Sequence, residues 1–140
     1  MTYAGNRRII DVDSHLFELD DFLHAVATDE EAAFIRPMEA QTELPVSLEA
    51  INRGREHLDR RNADPELMAK FEASMFDISR SPWSRLGAFD PAERSHALDV
   101  LGFERQIVLG TFSFHQIAHE DDTKALEIGA RVHNRAMGRF

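Results

Sequence analysis

At 140 residues, the chain has room for one domain at most. Its formal net charge of −9 argues against a nucleic-acid partner, which would require a basic surface. The absence of cysteine excludes disulfides, thiolate zinc sites and cysteine nucleophiles. The sequence has neither an apolar run of about 18 residues nor a signal-peptide core, so we expect a cytoplasmic protein without a membrane partner.

The stretch from Arg8 to Glu18 predicts a strand that runs into a polar turn. Ile9, Ile10 and Val12 are β-branched, and such a run favours a strand that is buried on both faces. Because α/β proteins build their sites where such strands end, the polar residues that follow are the first candidates for function.

Polar side chains occupy alternate positions along this strand. Because neighbouring side chains point to opposite faces, Asp11, Asp13 and His15 are predicted to share one face. The Cα atoms of Asp13 and His15 would lie about 6–7 Å apart, so that a carboxylate oxygen and an imidazole nitrogen can hold one cation between them. Zinc and manganese suit this pair of donors. The alternative is that these residues belong to a turn and cap backbone amides.

The segment after the strand is predicted to be helical. Residues 19–27 carry apolar side chains at helical spacing. The helical pattern resumes over residues 30–36 for a turn or two and ends before Pro37.

From residue 37 to 81 the composition becomes charged and helical, which we interpret as a helical insertion after the first strand. Arginines and acids are interleaved over residues 53–61, so we expect a solvated face there. Asp64 should cap a second helix within the insertion, with Pro65 in its first turn. Trp83, just after the insertion, is interpreted as a packing residue near a loop.

A helix and a second strand follow. Asp90 and Pro91 predict a helix start, with Glu93 at the third position as in a capping box. Gly102 should end this helix, and residues 106–109 are predicted to form a second buried strand. A helix between two apolar strands indicates a βαβ unit with parallel strands.

The loop after the second strand carries two histidines, His115 and His119. On a helix they would share one face, but zinc-protease sites need a glutamate where Gln116 stands. We therefore favour a substrate contact through His115 or Phe112 over a metal role for the two histidines.

The last segment is predicted to be a helix capped by Asp122 or Thr123. Gly129 should allow this helix to approach the sheet closely, and His133 is interpreted as structural. One narrow apolar face is expected, made of Ala125, Ile128, Gly129, Val132 and Ala136.

The residues IIDVDSHLFE resemble the opening strand of the metal-dependent amidohydrolase superfamily. They are most similar to the "amidohydrolase 2" branch, which includes aminocarboxymuconate-semialdehyde decarboxylase and related aromatic-acid decarboxylases. Asp13 and His15 match the paired metal ligands of that branch, and Asp11 matches an acid that often precedes them. The segment DPAERSHALDVLGFERQIVL is similar to the helix that leads into the second strand of the family. The segment ALEIGARVHNRAMGRF resembles the helix that follows, with His133 where the family usually has tyrosine.

The resemblance implies a (β/α)8 TIM barrel of which residues 1–140 are the N-terminal part, with about two strands, flanking helices and the 37–81 insertion. It implies a metal-dependent hydrolase or a non-oxidative decarboxylase that acts on a small carboxylated or cyclic substrate. Asp13 and His15 would bind the divalent metal, zinc or manganese, and Asp11 and Glu18 would support them. Later strands, outside this chain, would supply a further His and Asp, and His115 would contact the substrate.

A non-enzymatic alternative follows from the length of the chain. Two ligands do not complete a metal site, and two strands of a barrel bury little surface. The alternative to a fragment of a longer enzyme is therefore a truncated, inactive remnant or an interaction module. The expected macromolecular partner is a second copy in a homo-oligomer or a missing C-terminal part.

Overall fold

The structure, a computed structural model, describes residues 2–38, 48–76, 85–118 and 121–140. The fold is mixed α/β, as predicted, and contains a two-stranded parallel sheet. Its strands are β1 (Ile10–Leu16) and β2 (Arg105–Gly110). Its helices are α1 (Asp29–Ala32), α2 (Leu48–Ala63), α3 (Pro65–Ala73), α4 (Pro91–Leu101), α5 (Ser113–Ala118) and α6 (Thr123–Met137). Across the described ranges, no helix is long and apolar enough to cross a membrane.

The chain divides into two compact units. The first contains Met1–Leu16 and Asn52–Leu109, and the second contains Phe17–Ile51 and Gly110–Phe140. Each unit therefore combines an N-terminal segment with a later one.

The sheet belongs largely to the first unit, and its two strands are held in register by side chains as well as by their backbones. Gln106 Nε2 donates to Asp11 Oδ2 at 3.2 Å, and Glu104 N donates to Ile9 O at 2.9 Å. The prediction of two fully buried strands is wrong, because Val12 is 65% exposed and Ile107 is 54% exposed. A strand is buried on both faces only where a layer covers each face, and the two-stranded sheet in the described part of the chain leaves apolar side chains of both strands uncovered.

The first helix of the predicted insertion is tied to α4 by a buried ion pair. Arg61 and Glu93 are both fully buried, and the guanidinium lies bidentate on the carboxylate. Arg61 also lies over the ring of Phe71, 5.1 Å from its centroid. The expected solvated face over residues 53–61 is therefore wrong at Arg61, because the charge of this residue is neutralised by a partner 32 positions away.

The predicted helix starts are confirmed. Asp64 caps α3 by accepting from Glu66 N and Leu67 N, and Asp90 caps α4 by accepting from Glu93 N at 2.7 Å. The second half of the predicted capping box is absent, since the Glu93 carboxylate accepts from Gly87 N at 2.7 Å and from Arg61 instead.

Two further predictions concern the end of α4 and the helical insertion over residues 37–81. Gly102 ends α4 in the left-handed conformation with φ 74°, as expected. The described part of the 37–81 insertion is largely helical, but Trp83 lies outside the described residues.

The second unit is organised around α6. All five predicted apolar positions of this helix are buried, and Leu23 and Ile35 pack against them in one core. Gly129 does allow a close approach, but to α5 and not to the sheet. A Cβ atom on Gly129 would lie 2.3 Å from Ile117 Cγ2.

The predicted helix over residues 19–27 is wrong. The segment is a series of turns in which Phe22 N bonds Leu19 O, three residues back, while Ala25 N bonds Asp21 O, four residues back. Its apolar spacing still buries Leu23 against α6. The short helix α1 follows, opened by Thr28 and Glu31 as a capping box, and it ends before Pro37.

Candidate functional site

Asp13 and His15 lie close together in the second half of β1. Asp13 Oδ1 is 3.7 Å from His15 Nε2, and the two side chains are 86% and 46% exposed. The structure thus brings together the two donors that the sequence singled out, and it leaves both open to solvent.

Asp11 is held by other partners, and the prediction that all three side chains share one face stays a prediction. Its carboxylate accepts from Ser14 Oγ at 2.5 Å, from Asp13 N at 3.1 Å and from Gln106 Nε2 at 3.2 Å. The bond from Asp13 N to a side-chain oxygen two residues back is of the Asx type, in which an aspartate side chain accepts from a nearby backbone amide. Val12 and Asp13 are both exposed. The Ser14 hydroxyl, above all, lowers the pKa of the Asp11 carboxyl.

Arg94 of α4 supports the backbone of the site, a role that the sequence did not assign. Arg94 Nη2 donates to the carbonyl oxygen of His15 at 2.6 Å, and Arg94 Nη1 donates to Gln106 Oε1 at 3.2 Å. Burial lowers the pKa of Arg94, and the nearby charge of Asp11 opposes that shift. Arg94 and Asp11 together fix the strand from which Asp13 and His15 project. The signal in the sequence that could have pointed to this role is the pair Glu93-Arg94 in the segment DPAERSHALDVLGFERQIVL, which resembles the amidohydrolase helix.

Glu18, the second candidate for a supporting role, lies in the second unit and is fully buried. Its carboxylate accepts from the backbone amides of Thr111, Phe112 and Ser113 at 2.9–3.2 Å. Ser113 Oγ donates to it as well, at 2.5 Å. Glu18 therefore fixes the turn that opens α5, a role for which the sequence carried no local signal.

Gly110 and His133 complete the surroundings of this carboxylate. A Cβ atom on Gly110 would lie 2.6 Å from Glu18 Oε1 and 3.1 Å from His133 Nε2, so any larger residue would displace one of them. His133 Nε2 is buried and has no hydrogen-bond partner among the described residues. Burial lowers the pKa of His133, and the charge of Glu18 opposes this effect. A structural role for His133 agrees with these surroundings.

The other candidate residues of this loop do not extend the site. Phe112 is 4% exposed and stacks on Phe17 with a centroid distance of 5.8 Å, so a substrate contact through its ring does not fit. His115 lies on α5, but its side chain and the whole of His119 are outside the described residues. The substrate contact predicted for His115 stays a prediction.

Asp13 and His15 are two donors, and a resident metal ion needs more. Within the described residues, no three His, Asp or Glu side chains lie together in a way that could hold a metal ion. Asp13 and His15 are therefore a pair of exposed donors on β1.

Searches with this chain against protein-family models, curated proteins and solved structures return no match. Membership of the amidohydrolase superfamily, which the sequence motifs imply, therefore stays a prediction. A functional proposal must rest on the geometry around Asp13 and His15.

Proposed function

We propose that this chain supplies the first metal-ligand strand of a metal-dependent hydrolase or non-oxidative decarboxylase of the amidohydrolase 2 type. The substrate class is a small carboxylated or cyclic molecule. The observation that carries the proposal is the approach of Asp13 Oδ1 to within 3.7 Å of His15 Nε2 on β1, with both side chains exposed to solvent.

The spacing of the two donors suits one divalent ion. Two ligands about 2.1 Å from a tetrahedral zinc ion lie about 3.4 Å apart, so a shift of about 0.3 Å would bring both atoms to bonding distance. One oxygen and one nitrogen donor fit zinc or manganese. Both side chains are accessible, so an ion can reach them without unfolding the strand.

The surrounding residues fit a positioning role. Asp11 and Arg94 hold the backbone of the donors through Asp13 N and His15 O, respectively. A metal bound there would activate a water molecule or orient a substrate carboxylate. Asp13 would contribute a negative charge and His15 a neutral imidazole.

The barrel implied by the resemblance is part of the same proposal. Two parallel strands, β1 and β2, with α4 preceding β2 in the chain are the arrangement that opens a (β/α)8 barrel. In such a barrel, the exposed apolar side chains of Val12 and Ile107 would be covered by the outer helices or by the side chains that fill the barrel interior.

Metal binding by variants tests the proposal. Zinc and manganese titrations by calorimetry should show binding to the wild-type chain and its loss in Asp13→Asn and His15→Gln. The matched controls are Asp99→Asn and His24→Gln, which change the same residue types at exposed positions elsewhere. Far-UV circular dichroism checks that the fold is retained. Equal metal binding in the wild type and in both site variants would overturn the proposal.

The second candidate is a non-enzymatic interaction module or inactive remnant, favoured by the exposed apolar side chains of the sheet. Under this alternative, Asp13 and His15 are turn residues, and neither metal binds to the wild-type chain.

A further inference from the structure

A glutamine of β2, Gln106, lies between a carboxylate and a guanidinium. Its Nε2 donates to Asp11 Oδ2 at 3.2 Å, and its Oε1 accepts from Arg94 Nη1 at 3.2 Å. The side-chain amide is thus held in one orientation, because its NH2 group can only donate and its oxygen can only accept.

The two charged neighbours of this glutamine hold three consecutive residues of β1. The Asp11 carboxylate accepts from Asp13 N at 3.1 Å and from Ser14 Oγ at 2.5 Å. Arg94 Nη2 donates to the carbonyl oxygen of His15 at 2.6 Å. The glutamine bonds to both charged groups, so it links the bonds at the start of this segment to the bond at its end.

The amide also separates two opposite charges. Asp11 and Arg94 attract each other, but both direct hydrogen bonds to Gln106 and to β1. An apolar side chain in place of the amide would remove one partner from each charged group and would draw the two groups toward a direct ion pair. Such a movement would displace the backbone that Asp11 and Arg94 hold.

We propose that Gln106 is a positioning residue for the metal ligands, which keeps Asp13 Oδ1 and His15 Nε2 at the separation that one divalent ion needs. The inference rests on the proposed metal-binding role of these two donors. Gln106 contributes no ligand itself and acts through Asp11 and Arg94.

The expected effect is a weaker affinity for the metal. Loss of a residue that supports metal ligands typically weakens metal binding about 10–100-fold. Because Gln106 acts on the ligands through two other side chains, we expect a loss of about tenfold, at the lower end of this range.

Zinc calorimetry on the full chain, after removal of metals by EDTA and dialysis, measures this loss. Gln106→Met keeps the length of the side chain and removes both hydrogen bonds, so zinc should bind about tenfold more weakly than to the wild type. Cobalt bound in place of zinc has a visible spectrum that depends on the geometry of its ligands, and this spectrum should change. Ile107→Met, at the next and exposed position of β2, is the matched control and should bind both metals like the wild type.

A second variant separates positioning from simple charge. In Gln106→Glu the carboxylate still accepts from Arg94 but faces the carboxylate of Asp11, so the positioning role predicts weaker zinc binding. A negative charge that acts on the ion through space alone predicts tighter binding. Circular dichroism checks that the variants are folded, and Gln106→Glu carries the test if Gln106→Met does not fold.

The outcomes distinguish this inference from the proposed function. Wild-type zinc affinity with an unchanged cobalt spectrum in folded Gln106→Met would overturn the positioning role and leave the metal-ligand role intact. Tighter zinc binding in Gln106→Glu, or an equal loss in Ile107→Met, would also overturn it. Zinc binding that Asp13→Asn does not weaken, or no zinc binding to the wild type, would overturn both.

Discussion

Replacement of Glu18 by alanine is expected to destabilise the protein strongly. The carboxylate accepts from the amides of Thr111, Phe112 and Ser113 and from the Ser113 hydroxyl, and it is fully buried. Each buried donor left without an acceptor costs about 1–3 kcal/mol. Since the donors share one acceptor and the turn can relax, we expect a loss of about 3–6 kcal/mol in the free energy of unfolding.

Urea unfolding followed by circular dichroism measures this loss. Glu18→Gln should lose less free energy of unfolding than Glu18→Ala, because the glutamine side-chain oxygen still accepts some of these hydrogen bonds. It should still lose some, because the glutamine NH2 group then faces backbone donors. Glu127→Gln, on the exposed side of α6, is the matched control and should leave the unfolding midpoint nearly unchanged. A loss below about 1 kcal/mol in Glu18→Ala would refute the reasoning, because it would mean that the three amides find other acceptors at little cost.

Two further predictions concern buried charge. Glu93→Gln leaves the charge of the Arg61 guanidinium buried without a counter-charge, and it should lower the free energy of unfolding in urea by about 3–5 kcal/mol. The exposed ion pair of Arg8 and Glu104 is the control. A loss in Glu104→Gln as large as that in Glu93→Gln would contradict the role of burial. Because burial lowers the pKa of His133, the unfolded chain takes up the proton more readily, so this residue should reduce stability as the pH falls below about 6.5. The drop in the urea midpoint between pH 8 and pH 5 should be smaller in His133→Phe than in the wild type, and an equal drop would show that His133 is not responsible.

The features that were predicted correctly are those set by neighbouring residues. The caps at Asp64 and Asp90 and the helix end at Gly102 depend on bonds within a few positions of the chain. The buried face of α6 follows from helical spacing alone. The pair of Asp13 and His15 was found because two residues separated by one position on a strand necessarily lie near each other.

The features that were missed depend on partners far along the chain. Arg61 was expected on a solvated face because its acceptor is 32 residues away. The Asp11 carboxylate accepts from the nearby Ser14 hydroxyl, but it also accepts from Gln106, 95 residues away. The amides that surround Glu18 begin 93 residues later. Strand periodicity carries no information about such contacts, so the sequence located the donors but not the framework that holds them.

Anomalous diffraction at the zinc absorption edge, on crystals grown with zinc, would locate a bound ion directly. If Asp13 and His15 are metal ligands, a peak should lie within about 2.0–2.2 Å of both Asp13 Oδ1 and His15 Nε2. A zinc peak only at another position, or no peak beside these two atoms in crystals grown with excess zinc, would contradict their role as metal ligands.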